Sequence, residues 1–267
     1  MLANFYAYDF EFDGQSSQLY DMKIISFDDG GLFSGVGSSD VEIYTQKVLR
    51  KAKSYYLGRS QQKVLEFDLT FGSARPISGL DRDVISAWMF GKSSFKPLRI
   101  LQDDLNGAWF NCFLTKPEPQ YIGGINYAFK CTVVCDSPFA YSFPRTITET
   151  FDGDENINKV INIYNNSSED DYLYPIVSFE LNLIGSNFLI KNNTDNGREF
   201  YFQNLYPHEK IVIDNDLQTI VSSTGLHRLS NFNKKWFRLV PRLNNLTIQS
   251  GIGTYTITYT ERLKIGG

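Results

Sequence analysis

The strongest constraint on this chain is the unbroken series of short alternating segments between residues 199 and 260. The last of them sets the terms. Tyr255, Ile257 and Tyr259 fall on one side of an extended backbone, and Thr254, Thr256, Thr258 and Thr260 fall on the other. One face is apolar and the opposite face is lined with hydroxyls. Upstream, Phe200 and Phe202 alternate with polar neighbours. Ile211 and Ile213 lead into Asp214-Asn215-Asp216, residue types that tolerate tight turns, and residues 217–221 return as the second arm of a hairpin. The pattern predicts a further strand at Trp236, Phe237 and Leu239, stopped by Pro241, and another at Leu246 and Ile248 before Gly251 and Gly253. Roughly five such strands in so short a stretch cannot all bury their apolar faces within one sheet, so two facing sheets are expected.

The first half carries a different mixture. Leu65, Phe67, Leu69 and Phe71 alternate with Glu66, Asp68 and Thr70, and strand-like segments are expected at residues 5–12, 24–27, 98–101, 108–115 and 127–135. Asp13-Gly14 and Asn106-Gly107 supply hairpin turns. Ser78 followed by Asp81 is a helix start, and Leu80, Val84, Ala87 and Trp88 recur at helical spacing up to Gly91, with Trp88 as a core anchor. This is the one substantial helix expected. From Pro144 to Asp171 the chain turns polar, acidic and Asn-rich, which places a linker and a domain boundary there, with a first strand of the second domain at residues 157–164. The expected domains are 1–145 and 146–267 of a mainly β protein. An aromatic content of 15%, with 21 Phe and 16 Tyr, suits pleated, half-buried surfaces.

Charge and motifs narrow the chemistry. The formal net charge of -4 gives no general attraction to nucleic acid or acidic membranes. Lys47, Arg50, Lys51, Lys53, Arg59 and Lys63 do form a run without an acid between them. No nucleic-acid motif accompanies it, so a solvated or subunit-contacting face is expected. No basic region followed by an apolar core opens the chain, and no apolar run is long enough to cross a bilayer, so synthesis in a cytoplasm is expected. Cys112, Cys131 and Cys135 align with apolar neighbours and read as small core residues; with only His208 and His227 to complete a zinc set, metal binding is not expected. Asp152, Asp154 and Asn156 mimic the start of a calcium loop, but Ile157 stands where the turn glycine belongs and Ile163 where the bidentate Glu belongs. The Gly35-Val36-Gly37-Ser38-Ser39 stretch lacks the lysine of a phosphate loop. No nucleophile elbow or papain-like cysteine is present. The expectation is therefore no enzyme, with no catalytic, cofactor-binding or metal-binding residues.

Several stretches together carry a family resemblance: Asp136-Ser137-Pro138-Phe139-Ala140-Tyr141, Tyr174-Pro175-Ile176, Gly185-Ser186-Asn187, Phe200-Tyr201-Phe202, Glu209-Lys210-Ile211-Val212-Ile213-Asp214, and the run from Trp236 to Asn244. With the strand and helix order of the first half, they make the chain resemble the distal tail protein (Dit) family of long-tailed, non-contractile bacteriophages. Where that family often has Pro-Gly before the asparagine, Arg242-Leu243 stand here. The resemblance implies an N-terminal β-rich ring-forming domain with one helix and a C-terminal galectin-like β-sandwich. It implies a virion tail component: a homo-hexamer whose lumen passes DNA, joined to the tail tube protein and the tail-tip or baseplate hub protein, with a receptor-binding protein as a further partner. The rival reading is a carbohydrate-binding module or lectin, with Tyr174, Tyr201, Tyr206 and Trp236 as sugar platforms; most aromatic side chains in β-proteins are core instead.

Overall fold

A computed structural model describes residues 8–27, 41–61, 64–102, 105, 107–152, 158–184 and 186–265. They fall into two compact units. One runs to Ser142 and takes in the residues from Leu263 onward; the other is Phe143–Arg262.

The first unit contains β1 (Phe10–Phe12), β2 (Gln15–Ser16), β3 (Lys23–Phe27), β4 (Val41–Lys47), β5 (Ser54–Gln61), β6 (Glu66–Gly72), helix α1 (Gly79–Met89), β7 (Lys96–Ile100), β8 (Ala108–Ile122), β9 (Ile125–Cys135) and β10 (Ala140–Ser142). The main sheet runs β2-β1-β7-β8-β9-β6-β3, with β10 paired to β8, while β4 and β5 form a separate two-stranded sheet. The turn between β1 and β2 is Asp13-Gly14, both at positive φ (52° and 73°), as a two-residue hairpin with the right twist requires. The alternation read at residues 65–71 is the β6 ladder: Phe67, Leu69 and Phe71 pair with Val133, Cys131 and Phe129, and all six are buried. Each fully buried Phe removes enough apolar surface from water to contribute about 2–3 kcal/mol.

Helix α1 starts where the sequence says. Ser78 and Asp81 form a reciprocal capping box. Its buried stripe is not the expected one, however. Ile85, Trp88 and Met89 face the core, whereas Leu80, Val84 and Ala87 are exposed. The indole of Trp88 stacks on Tyr20 at 4.3 Å and on Phe10 at 5.7 Å, and its Nε1 donates to the Phe12 carbonyl at 3.0 Å. That anchor fixes the rotation of the helix, so the inward neighbour one turn back is Ile85 rather than Val84. Leu80 and Val84 are left in water.

The second unit contains β11 (Arg145–Phe151), β12 (Asn158–Asn165), β13 (Ile176–Leu181), β14 (Ser186–Asn192), β15 (Arg198–Leu205), β16 (Glu209–Asp214), β17 (Thr219–Ser222), β18 (Arg242–Ser250) and β19 (Gly253–Tyr259); β20 (Arg262–Leu263) follows and pairs with β10. A five-stranded sheet, β11-β19-β13-β16-β17, and a four-stranded sheet, β12-β18-β14-β15, share one core. Phe179 of the first stacks on Phe188 of the second at 4.3 Å, and Tyr255 lies 5.8 Å from Phe188. Gly253 is obligatory for a steric reason: a Cβ there would lie 2.2 Å from the Glu180 carbonyl oxygen.

Two expectations fail here. The tract between Pro144 and Asp171 is not a polar linker: beside β12, which is the strand expected at residues 157–164, it holds the unexpected β11, and the two pair along their lengths with β18 and β19. It reads as polar because the outward positions of β11 are Thr146, Thr148 and Thr150, whose hydroxyls meet Thr258, Thr256 and Thr254 at 3.2, 3.2 and 3.3 Å. The second failure is at residues 236–239, which form no strand and make only the isolated bridge between Leu239 and Leu173. Side chains meet this backbone's needs instead of a ladder: the Phe237 amide donates to Asn215 Oδ1 at 2.8 Å, and Arg198 Nε donates to the Trp236 carbonyl at 3.2 Å.

Candidate interaction surface

The residues singled out for chemistry do not converge. Cys112, Cys131 and Cys135 are free thiols buried in the first core. Burial pushes all three up, Cys131 to about 12, so none supplies a thiolate near neutral pH. His208 and His227 are both exposed on the second unit. Among the described residues no three His, Cys, Asp or Glu side chains group as metal ligands. Asp152 is exposed, while Asp154, Asn156 and the glycine stretch at 35–39 lie outside the described residues.

Two of the four aromatic side chains of the sugar-binding reading have partners within the chain, although Tyr206 stays 48% exposed. The Arg228 guanidinium lies 4.5 Å from the Tyr206 ring centre, and Trp236 packs edge-on to Phe232 at 4.9 Å. Tyr174 and Tyr201 are half-buried. Arg228 itself is held by a buried ion pair: its Nε donates to Glu209 Oε1 at 2.7 Å and its Nη2 donates to Glu209 Oε2. Burial opposes the Glu209 charge, but hydrogen bonds from Arg228 and Ser222 outweigh it and hold the carboxyl below its usual range.

Two projecting hairpins in the first unit stand out. In β4–β5, β-branched and aromatic residues favour extended backbone, and Gly58 accommodates the register shift opposite Tyr44 and Thr45. Neighbouring residues on a strand point to opposite faces, yet Tyr55, Tyr56 and Leu57 are all exposed, as are Ile43 and Tyr44. Both faces of the hairpin therefore carry apolar side chains into water. The connecting turn holds Val48 and Leu49 among Lys47, Arg50, Lys51 and Lys53; Lys51 sits 5.9 Å from the Tyr55 ring centre. A lone two-stranded hairpin is at best marginally stable in water, and an exposed apolar patch of this kind marks a binding surface.

The second projection is the outer half of β8–β9. From Ala108 to Thr115, β8 alternates buried and half-buried positions; from Lys116 to Ile122 every residue is exposed. The break coincides with a register shift after Thr115 and with Lys116 at φ 52°. Beyond it, Tyr121, Ile122 and Ile125 stand in solvent around a Gly123-Gly124 turn with both φ positive. Sequence reasoning missed this apolar tip and that of β4–β5, having read the latter only as basic. The available signal was Tyr55-Tyr56-Leu57, an apolar run that no single buried face can accept.

A third feature lies against α1. An open groove of about 540 Å³ is lined by Leu19, Tyr20, Pro76, Ile77, Val84 and Ile85, with Asp21, Arg75 and Asp81 among its polar members. Asp21 accepts from Arg75 Nε at 2.8 Å, and that bond lowers its pKa.

A mainly β chain with no gathered chemical site among the described residues, and with apolar side chains exposed on both faces of a hairpin, has the form of a structural protein that assembles with others. Comparison with known proteins gives the family. Residues 5–137 match a family model described as a phage tail protein N-terminal domain, and residues 139–259 match one described as a phage tail C-terminal domain. The chain belongs to this phage tail protein family and is a component of the virion tail. No curated protein matches it in a sequence search. Among solved structures it is similar to the SPP1 Dit protein, described as a paradigm of the hub adsorption apparatus in phages infecting Gram-positive bacteria. The TM-score is 0.66 at 11% identity, over 96% of this chain and 99% of that one. The fold is thus that of a distal tail protein, as the resemblance in the sequence implied.

Proposed function

We propose that the protein is the distal tail ring of a long, non-contractile phage tail. Six copies join through the domain of residues 1–145, link the tail tube protein to the tail-tip or baseplate hub protein, and leave a lumen for DNA. The galectin-like sandwich of residues 146–267 faces outward and offers a surface to a receptor-binding protein. The observation that carries this reading is the β4–β5 hairpin, apolar on both faces and exposed in the single chain. Such a hairpin is stable when a neighbour covers it, and a patch that meets a different patch on the next copy closes into a ring when the rotation allows. The likeness to a protein of a hub adsorption apparatus supports the position in the tail. The lectin reading is weakened at Trp236, which packs against Phe232 beside the sandwich core. Native mass spectrometry of the full chain with negative-stain imaging tests the proposal: a sixfold annular particle is expected, and a strict monomer at high concentration overturns it.

A further inference from the structure

We propose that Cys112 and Cys135 form a disulfide across the root of the β8–β9 hairpin when the chain meets a peroxide, which makes the pair a site of oxidative modification. This goes beyond the ring reading above and does not depend on it. The two residues are direct partners on neighbouring strands. The bonds beside them decide what kind of partners they are. The Asp136 amide donates to the Asn111 carbonyl at 2.9 Å, while the Cys135 amide turns the other way and donates to the Leu65 carbonyl at 2.9 Å. Hydrogen-bonded and non-hydrogen-bonded pairs alternate along an antiparallel ladder, so Asn111 with Asp136 is of the first kind and Cys112 with Cys135 of the second. In a pair of the second kind the Cα atoms stand about 4.5 Å apart, inside the range of roughly 4.4–6.8 Å that a disulfide spans. Both side chains lie on one face, buried in the same core. One step away, Asn111 Nδ2 donates to Asp136 Oδ2 at 2.6 Å and holds the register.

Distance excludes the third cysteine. Cys131 lies four residues before Cys135 on β9, about 13 Å along the strand, and no bridge reaches that far without moving the backbone. Cys112 stands opposite Cys135, so Cys131 is out of its reach as well. The bond adds no atom to the core, since two hydrogens leave. In the reaction one sulfur attacks a peroxide oxygen, the O–O bond breaks, water leaves and a sulfenic acid forms. The second sulfur then attacks the first, the S–O bond breaks, and the hydroxyl departs as water with the remaining thiol proton. The two sulfurs lose two electrons and the two peroxide oxygens gain them. Burial raises the pKa of both thiols, which makes the reaction slow and ties it to opening of the strand end, where Cys135 is the last residue. The loop so closed, residues 112–135, contains the whole projecting part of the hairpin, and the bond staples that projection at its root. A component of the virion tail leaves the reducing interior of the host on release, and virion surfaces are a setting in which disulfides persist.

The test is hydrogen peroxide added to the folded full chain after removal of reductant, followed by denaturation, alkylation and peptide mapping by mass spectrometry without reduction. Three free thiols falling to one are expected, with Cys131 alkylated and Cys112 joined to Cys135. The same chain oxidised in urea is the comparison. There the shortest loop closes most readily, so Cys131 joined to Cys135 is expected to dominate. One pairing common to the folded chain and to urea overturns the inference. So do three thiols that persist in the folded chain, a bond there that includes Cys131, or cysteines carried on to sulfinic acid without a bond.

Discussion

On the β11–β19 face of the sandwich, three threonine pairs close hydrogen bonds across the strands, and the charge buried nearest the β16–β17 hairpin, Glu209, is met by Arg228, Ser222 and Thr224. The β4–β5 hairpin has the same kind of backbone and the opposite surface. Ile43, Tyr56 and Leu57 stand in water on strands that pair only with each other. Extended structure alone thus says nothing about autonomy. What separates the two regions is whether polar groups and apolar faces find their partners within the chain, and the hairpin's lack of cover points to assembly as its role.

Four measurements break or sharpen this contrast. The largest effect belongs to Arg228→Ala, which leaves the buried Glu209 carboxylate without its cation and is expected to cost about 3–5 kcal/mol in denaturant unfolding of the second unit. The counterpart, Ile43→Ser with Tyr56→Ser, alters exposed positions and is expected to change monomer stability by about 0.5 kcal/mol or less while abolishing association in sedimentation. If the hairpin variant destabilises the monomer as Arg228→Ala does, the hairpin is part of the fold and the contrast fails.

Acid should act on the sandwich in the same sense and less strongly. The folded pKa of Glu209 lies below its unfolded value, so the unfolded state binds more protons and stability rises with pH through that range. The stabilisation is present at neutral pH, above the unfolded value of about 4.3. It is lost as pH falls from there through the lower folded value. Titrating the unfolding midpoint of wild type against Glu209→Gln should show a shallower acid slope in the variant; equal slopes would remove Glu209 from the account. The smallest effect on the sandwich is Thr148→Ala, which deletes one rung of the threonine array and should cost about 0.2–1 kcal/mol, with a double-mutant cycle against Thr256→Ala showing the coupling.

The sequence by itself determined the period of each element. Phe67, Leu69 and Phe71 had to share a face, as did Tyr255 and Ile257, because alternation has only two sides, and Ser78 with Asp81 had to start a helix because the orphan amides of a first turn need acceptors. It also carried the resemblance that the family match bears out. Only the tertiary structure decided what each face meets. The stacking of Trp88 on Tyr20 and Phe10, residues more than sixty positions away, turned Leu80 outward on a helix whose local pattern placed it inward. The pairing of Thr146 with Thr258 made a strand of a tract that composition marked as a linker. Asn215 reached across to the Phe237 amide and left that segment extended without a ladder. Even β8 alternates buried and half-buried residues only as far as its neighbours provide a core, and Ile122, as apolar as Leu114, is exposed because the strand has run past it. Periodicity is a property of the local backbone, whereas burial depends on which distant residues arrive, and a single sequence does not spell out those arrivals.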